Sequence, residues 1–224
     1  RHQQHFLPVA ELFIGLMSGT SLDGVDGVLA DLGGATLAVL AHASAPLSTP
    51  LKDELLALNQ AGVNELHRAA LAANALMQVY ADVVGQLLED TGTVAQNICA
   101  IGAHGQTVRH QPQSHGGTGY TVQLCNPALL AELTSIQVVA DFRSRDIAAG
   151  GQGAPLVPVF HQAVFGQANQ TTAVLNLGGM ANLTVIDAQA DAGQMIGFDC
   201  GPGNVLLDAW CQQHQGKAFD AGGN

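Results

Sequence analysis

Charge is scarce in this 224-residue sequence: Asp, Glu, Lys and Arg together make up 11%, and the only lysines are Lys52 and Lys217. Seven Lys plus Arg stand against 18 Asp plus Glu, a formal charge of −11. A nucleic-acid groove needs clustered cations to displace counterions from phosphates, so nucleic acid is excluded as a partner. With so few lysines, Gly-x-x-x-x-Gly-Lys-Ser/Thr is absent, which removes a P-loop NTPase. Aromatic residues are 4%, too few for a site built on stacking. The four cysteines, Cys99, Cys125, Cys200 and Cys211, lack Cys-x-x-Cys spacing and fall within strand or helix patterns. They are expected as reduced core residues, forming neither a zinc site nor a disulfide framework. No apolar run approaches the roughly 20 residues that span a bilayer. The residues ahead of Leu12 are polar, with His2, Gln3, Gln4 and His5, and lack the basic and apolar regions of a signal peptide. The expectation is a cytoplasmic protein with no membrane partner.

What is abundant is apolar residues, at 47%, and glycine, at 27 residues. That composition suits a globular protein whose strands are buried on both faces. Residues 11–17, 24–32 and 35–45 are predicted as consecutive strands, a meander. Residues 64–90 form a long amphipathic helix: Asn64 is its expected cap, Ala69, Ala73, Leu76, Tyr80, Val83 and Leu87 its buried stripe, and His67, Asn74, Gln78, Asp82 and Glu89 its wet face. Strands follow at 97–103, 120–124 and 136–140, with a short helix at 126–134. A Gly/Pro-rich turn at 150–158 leads into a helix at 158–165. The pattern then restarts, with strands at 171–177, 182–187 and 194–198 and a helix at 202–214 whose proline lies near its first turn. This order implies a duplicated α/β protein, divided at about residues 169–170, in which the second copy stops early.

Both copies place a glycine-rich polar turn between two apolar strands: Gly19, Thr20, Ser21, Leu22, Asp23, Gly24, Val25 and Asp26 in the first, Gly178 and Gly179 in the second. Glycine allows positive φ and close backbone approach, so amides can converge on phosphate oxygens. Thr20 and Ser21 add hydroxyl donors. Asp23 is the candidate for Mg²⁺, directly or through water, because that ion favours oxygen ligands and keeps part of its hydration shell. Either turn by itself also fits an ordinary hairpin; the pair points to a ligand.

Asp199 follows an apolar strand and precedes Gly-Pro-Gly-Asn204 and a new helix. A carboxylate there, partly sheltered, is placed to act as a general base; capping of the following helix is the open alternative. Arg143 and Arg145 follow a buried strand, where an arginine fork suits a ligand carboxylate or phosphate. Pairing of one of them with Asp141 or Asp146 would instead brace the loop. His104 and Gln106 leave another buried strand as possible substrate contacts, although a histidine in that position is often a structural hydrogen-bond partner. His104, His110 and His115 lack zinc-ligand spacing. No Gly-x-Ser-x-Gly elbow is present, which disfavours serine-hydrolase chemistry.

Six ordered motifs together resemble the anhydro-N-acetylmuramic acid kinase family. They are Gly15-Leu-Met-Ser-Gly-Thr-Ser-Leu-Asp-Gly-Val-Asp26, Gly102-Ala-His-Gly-Gln-Thr-Val108, Asp141-Phe-Arg-Ser-Arg-Asp-Ile-Ala148, Gly150-Gly-Gln-Gly-Ala-Pro-Leu-Val-Pro158, Asn176-Leu-Gly-Gly-Met-Ala-Asn-Leu-Thr184 and Gly197-Phe-Asp-Cys-Gly-Pro-Gly-Asn204. The resemblance implies an α/β fold of the actin/hexokinase/Hsp70 superfamily, with two ribonuclease-H-like lobes hinged around ATP. Residues 11–168 would form the first lobe and 169–224 the beginning of the second. It further implies that ATP and Mg²⁺ phosphorylate O6 of 1,6-anhydro-N-acetylmuramic acid while water opens the anhydro bridge, in peptidoglycan recycling. On this resemblance Asp199 is the catalytic base, the two glycine turns bind the phosphates of ATP, and Arg143, then Arg145, meets the lactyl carboxylate. His104, Gln106 and Asn204 complete the sugar site. Cys200 stands where the family usually has threonine. A non-catalytic sugar-binding remnant and another amino-sugar kinase of the superfamily are the alternatives. Apolar surface left open on a partial second lobe favours self-association, including a homodimer.

Overall fold

The computed structural model describes residues 10–34, 36–113, 116–187 and 195–223. His2, Gln3, Gln4 and His5, His115, and the predicted strand starts at Ala35 and Gln194 lie outside them. Two sheets dominate. The first contains β1 (Leu12–Ser18), β2 (Gly24–Asp31), β3 (Ala38–Pro46), β4 (Ile98–Ala103) and β7 (Val138–Val139), in the order β3-β2-β1-β4-β7. The first three strands form the expected antiparallel meander, and β4 and β7 add parallel to β1. This is the ribonuclease-H-like arrangement, an α/β architecture. A small hairpin pairs β5 (Gln106–Gln111) with β6 (Tyr120–Leu124).

Strand alternation decides which face is covered. Ile14, Leu16 and Ser18 of β1 and Val25 and Leu29 of β2 are buried, while Met17, Asp26 and Val28 between them are exposed. The buried set packs against α2 (Glu65–Thr91), whose Leu76, Met77, Tyr80, Val83, Val84 and Leu87 complete the main core. Residues three and four apart on a helix share a face, and the predicted stripe meets the sheet from Leu76 to Leu87, while Ala69 and Ala73 pack in a second cluster. The predicted Asn64 cap does not form: Asn64 adopts φ 58° and its side chain caps nothing, while its carbonyl accepts from Arg68 N.

Helix α1 (Thr49–Ala57) went unpredicted, although Ser48 and Pro50 mark a helix start and Leu51, Leu55 and Leu58 recur on one face. These leucines join Leu22, Val108 and Leu124 in a second core cluster. Arg68 grips Glu54 through two hydrogen bonds of 2.7 and 2.9 Å, fastening α2 to α1. Arg109 binds Glu65 at 2.6 Å and also donates to the Leu58 carbonyl, fastening β5 to both helices. Helix α3 (Pro127–Thr134) is capped by Asn126, whose side chain accepts from Leu129 N at 3.1 Å. Strand β7 is shorter than predicted because Ile136 is drawn into the core outside the ladder. Helix α4 (Ser144–Ala148) leads to the Gly/Pro-rich turn and α5 (Pro158–Phe165), which has the predicted bounds.

The second sheet is another antiparallel meander, β8 (Thr172–Leu177), β9 (Met180–Ile186) and β10 (Met195–Pro202), ordered β10-β9-β8. Helix α5 packs on it, with His161 Nδ1 2.9 Å from Thr184 Oγ1 in a buried contact. Three expectations are corrected here. Strand β10 continues through Pro202, so α6 (Val205–Gln215) starts after that proline. The strands are not buried on both faces: Leu175, Leu177, Ile196 and Phe198 are exposed. Nor are all cysteines core residues, since Cys99 and Cys200 are exposed and only Cys211 is fully buried. Cys99 is skipped where the register of β4 against β1 jumps from Ile98 to Ala100, and Cys200 is the extra residue of a bulge in β10.

Candidate functional site

The two glycine turns meet. A methyl group built on Gly179 would lie 3.5 Å from Thr20 Oγ1 and 3.8 Å from Ser21 N, with Asn204 Oδ1 at 3.9 Å. The second turn is held by the segment ahead of α6: Gly203 N donates to Gly179 O at 2.8 Å and Asn204 N to Gly178 O at 2.9 Å. Thr20, Ser21, Gly178, Gly179 and Asn204 therefore gather at one place, although the turns are far apart in sequence.

The glycines act differently from the expectation, because none of Gly19, Gly24, Gly178 and Gly179 has positive φ. In the first turn that conformation falls to Leu22, at φ 56°, with Leu22 N bonded to Gly19 O at 3.2 Å. A non-glycine residue there costs about 1–3 kcal/mol and needs surrounding structure to hold it. Burial supplies that hold: Leu22 is 4% exposed, packed with Leu51, Leu55 and Val108. Gly24 is needed for space, since a methyl group there would meet the Ala45 carbonyl oxygen at 2.7 Å.

Leu22 and Val25 thus point into the core, leaving only their backbone to the turn. Asp23 is exposed, and its Oδ1 accepts from Ser21 Oγ at 2.8 Å. Among the described residues no group of three or more His, Cys, Asp or Glu side chains forms a metal cage. Mg²⁺ usually takes only one or two protein carboxylates beside nucleotide phosphates and water, and Asp23 fits that donor set. Asp26 lies on the open face of β2, its Oδ1 3.4 Å from His42 Nε2.

A cleft of about 610 Å³ opens between the Gly/Pro-rich turn and β10, lined by Asp146, Gln152, Pro155, Pro158, Phe198 and Asp199 among others. Asp199 lies inside β10, paired with Asn182 beside the bulge, and is exposed. Its charge nevertheless reaches across the cleft. Burial pulls the Arg143 guanidinium below its usual pKa, and the Asp199 carboxylate opposes that pull. His110, which sequence reasoning left aside, lies within the same field: burial lowers its pKa, the charge of Arg143 adds to the lowering, and Asp199 opposes both. Its place near Gln152 and Asp199 comes with the β5–β6 hairpin, which no local pattern announced.

Arg143 is half-buried, with Nε 3.0 Å from His104 Nε2 and Nη1 donating to Gly153 O at 2.6 Å. The loop is braced by Asp146, whose Oδ2 accepts from Gly153 N at 2.7 Å, and by Ser144 bonding Asp141. Arg145, on α4, is exposed. His104 Nδ1 lies 2.7 Å from Gly105 O, and burial, the largest cause, lowers its pKa. Gln106 is 2% exposed, and its Oε1 has no hydrogen-bond partner among the described residues. Beneath the first turn, Ser18 Oγ stands 3.2 Å from both Tyr80 OH and Gly105 O. Burial pushes the Tyr80 hydroxyl up to about 12, with the Ser18 bond opposing. No helix among the described residues is long and apolar enough to cross a membrane.

Comparison with known proteins agrees with the motifs. The profile of the family described as anhydro-N-acetylmuramic acid kinase matches residues 11–224. Proteins carrying that name are 65% identical in Albidiferax ferrireducens, 62% in Variovorax paradoxus and 57% in Cupriavidus metallidurans. These alignments cover 96%, 95% and 96% of this chain but 60%, 57% and 56% of the relatives, so the chain spans little more than half their length. A solved Ppx/GppA family structure from Aquifex aeolicus aligns over 89% of this chain and 54% of its own, at 9% identity and a TM-score of 0.44, too loose a likeness to bear on the site. The matched profile and these relatives establish that the chain belongs to the anhydro-N-acetylmuramic acid kinase family.

Proposed function

We propose that this protein takes part in the ATP-dependent conversion of 1,6-anhydro-N-acetylmuramic acid and water to N-acetylmuramic acid 6-phosphate and ADP. The observation that carries the reading is the meeting of the two glycine turns, Thr20 and Ser21 facing Gly179, together with a cleft lined by Asp199, whose charge acts on Arg143. At that separation no phosphoryl group fits between Thr20 and Gly179 themselves. Their amides and hydroxyls would converge on one seated at the rim of the contact, where backbone donors stabilise negative charge.

The chemistry asks little else of the protein. Water attacks C1 of the sugar and the C1–O6 bond breaks, while Asp199 takes a proton from the water; O6 then forms its new bond to the γ-phosphorus as the bond to ADP breaks. Asp199 is exposed where the sequence predicts a partly sheltered carboxylate, and it suits the base by its place on a paired strand lining the cleft. Arg143 would orient the sugar through its lactyl carboxylate, and Arg145, exposed on the next turn, is the secondary candidate. Gln106 and Asn204 would contact sugar or phosphate. Bound Mg²⁺, held through Asp23 or its waters, would supply charge neutralisation at the phosphates. The division into lobes at about residue 169, a role in peptidoglycan recycling and a cytoplasmic location belong to the same reading.

Phosphorus NMR of the chain with ATP, Mg²⁺ and the anhydro sugar is expected to show a sugar 6-phosphate and ADP; their absence would count against the reading. Asp199→Asn is expected to lower turnover by about 10²–10⁴-fold while leaving sugar binding in place. Near-normal turnover in that variant would remove Asp199 from the role of base.

A further inference from the structure

The polar groups around Arg143 form one connected hydrogen-bond path whose directions chemistry dictates. A carbonyl oxygen only accepts, so His104 Nδ1, 2.7 Å from Gly105 O, must carry a proton. A guanidinium only donates, so His104 Nε2, 3.0 Å from Arg143 Nε, must be the acceptor. The two contacts independently require the same neutral tautomer. The Gly105 oxygen also accepts from Ser18 Oγ, whose single proton is thereby used, leaving Tyr80 OH to donate to Ser18. The path runs from Tyr80 through Ser18 and Gly105 to His104, Arg143 and Gly153.

The choice of a neutral partner has a consequence. A carboxylate would also hold the guanidinium but would cancel its charge. An imidazole acceptor and a carbonyl fix two of its nitrogens with no carboxylate in contact, Asp199 acting on the charge only through its field, and Nη2 lacks a hydrogen-bond partner among the described residues. We infer that His104 is a positioning residue: it holds Arg143 in place, still fully charged, to receive an anionic substituent of the substrate. This rests on the proposed sugar-acid substrate. It assigns His104 the task of setting preference for that anion in place of direct contact with the sugar.

The test compares binding of 1,6-anhydro-N-acetylmuramic acid with that of 1,6-anhydro-N-acetylglucosamine, which lacks the lactyl carboxylate. Titration calorimetry on the whole chain would measure both, with melting temperature as a control for folding. His104→Ala should reduce the preference for the acidic sugar about tenfold, while leaving ATP affinity and affinity for the lactyl-free sugar unchanged. His104→Gln, a neutral side chain with an accepting oxygen, should restore most of that preference. His104→Glu should hold the arginine yet lose the preference as fully as alanine. Nitrogen-15 NMR at neutral pH should report a protonated Nδ1 and a bare Nε2. Unchanged preference in His104→Ala, equal loss of both sugars, retained preference in His104→Glu, or an Nε2-protonated ring would each overturn the inference. Arg143→Ala separates this failure from a deeper one: if that variant keeps the preference, the assignment of Arg143 to the sugar carboxylate fails first.

Discussion

The two three-strand meanders share a local design and differ in what covers them. In β1–β3 the inward residues meet a 27-residue helix and form the main core. In β8–β10 the cover among the described residues is the eight-residue α5, and Leu175, Leu177 and Phe198 stay exposed. Each meander nevertheless presents its glycine turn, and the turns meet. Turn geometry therefore comes from pairing register and short-range bonds, whereas the cohesion of each meander comes from the helix behind it. A buried polar tie crosses the helix–sheet layer in both: Tyr80 to Ser18 in the first and His161 to Thr184 in the second.

The contrast can be broken most sharply by truncating matched leucines. Leu76→Ala empties a fully buried site on α2 and should cost about 2–5 kcal/mol. Leu177→Ala, at a position 66% exposed, should stay within about 0.5 kcal/mol in the same denaturant titration. Comparable losses would mean that the second sheet is covered in solution. The turns themselves should differ next. Gly24→Ala drives a methyl group against the Ala45 carbonyl and should cost about 1–3 kcal/mol. Gly179→Ala meets nothing closer than 3.5 Å, so its melting temperature should hardly move.

A smaller effect is expected from Tyr80→Phe, which removes one buried hydrogen bond and should cost about 1 kcal/mol by the same titration. The smallest is a pH effect. The folded-state pKa of His104 lies below its ordinary value of about 6.5, so the unfolded chain binds the extra proton first. The stability it contributes is present above about pH 6.5 and is lost as pH falls towards the lowered value. Melting curves of the parent chain should therefore fall more steeply between pH 7 and 5 than those of His104→Gln; parallel curves would remove His104 as a cause.

Elements set by hydrophobic period were legible in the sequence. The stripe of α2 and the first meander follow from repeats of 3.6 and 2, and Pro158 marks the start of α5. Strand β5 was not, because Val108 is its only apolar residue, the other inward position being Gln106, and its partner β6 begins nine residues after it ends. Motifs named Asp199, Arg143 and the two turns, and the structure brings the turns together and sets Asp199 and Arg143 within one another's field. Period and motif could not show that His104 faces Arg143. That contact joins the ends of β4 and β7, two parallel strands whose neighbour relation is a property of the sheet. Nor could a glycine count reveal that the left-handed position in the first turn belongs to Leu22, since composition points to glycine wherever φ is positive.

Leu22 gives the first turn an unusual character. Its side chain is moored in the cluster of α1 and β5, so the backbone from Gly19 to Gly24 is shaped before any ligand arrives. The conformational entropy of ordering that segment is spent when the chain folds, and an incoming phosphate would meet amides already aimed. Binding there should leave amide hydrogen exchange across the turn nearly unchanged. A hydrophobic side chain facing away from the turn would then set how much ordering a ligand's arrival still has to cost.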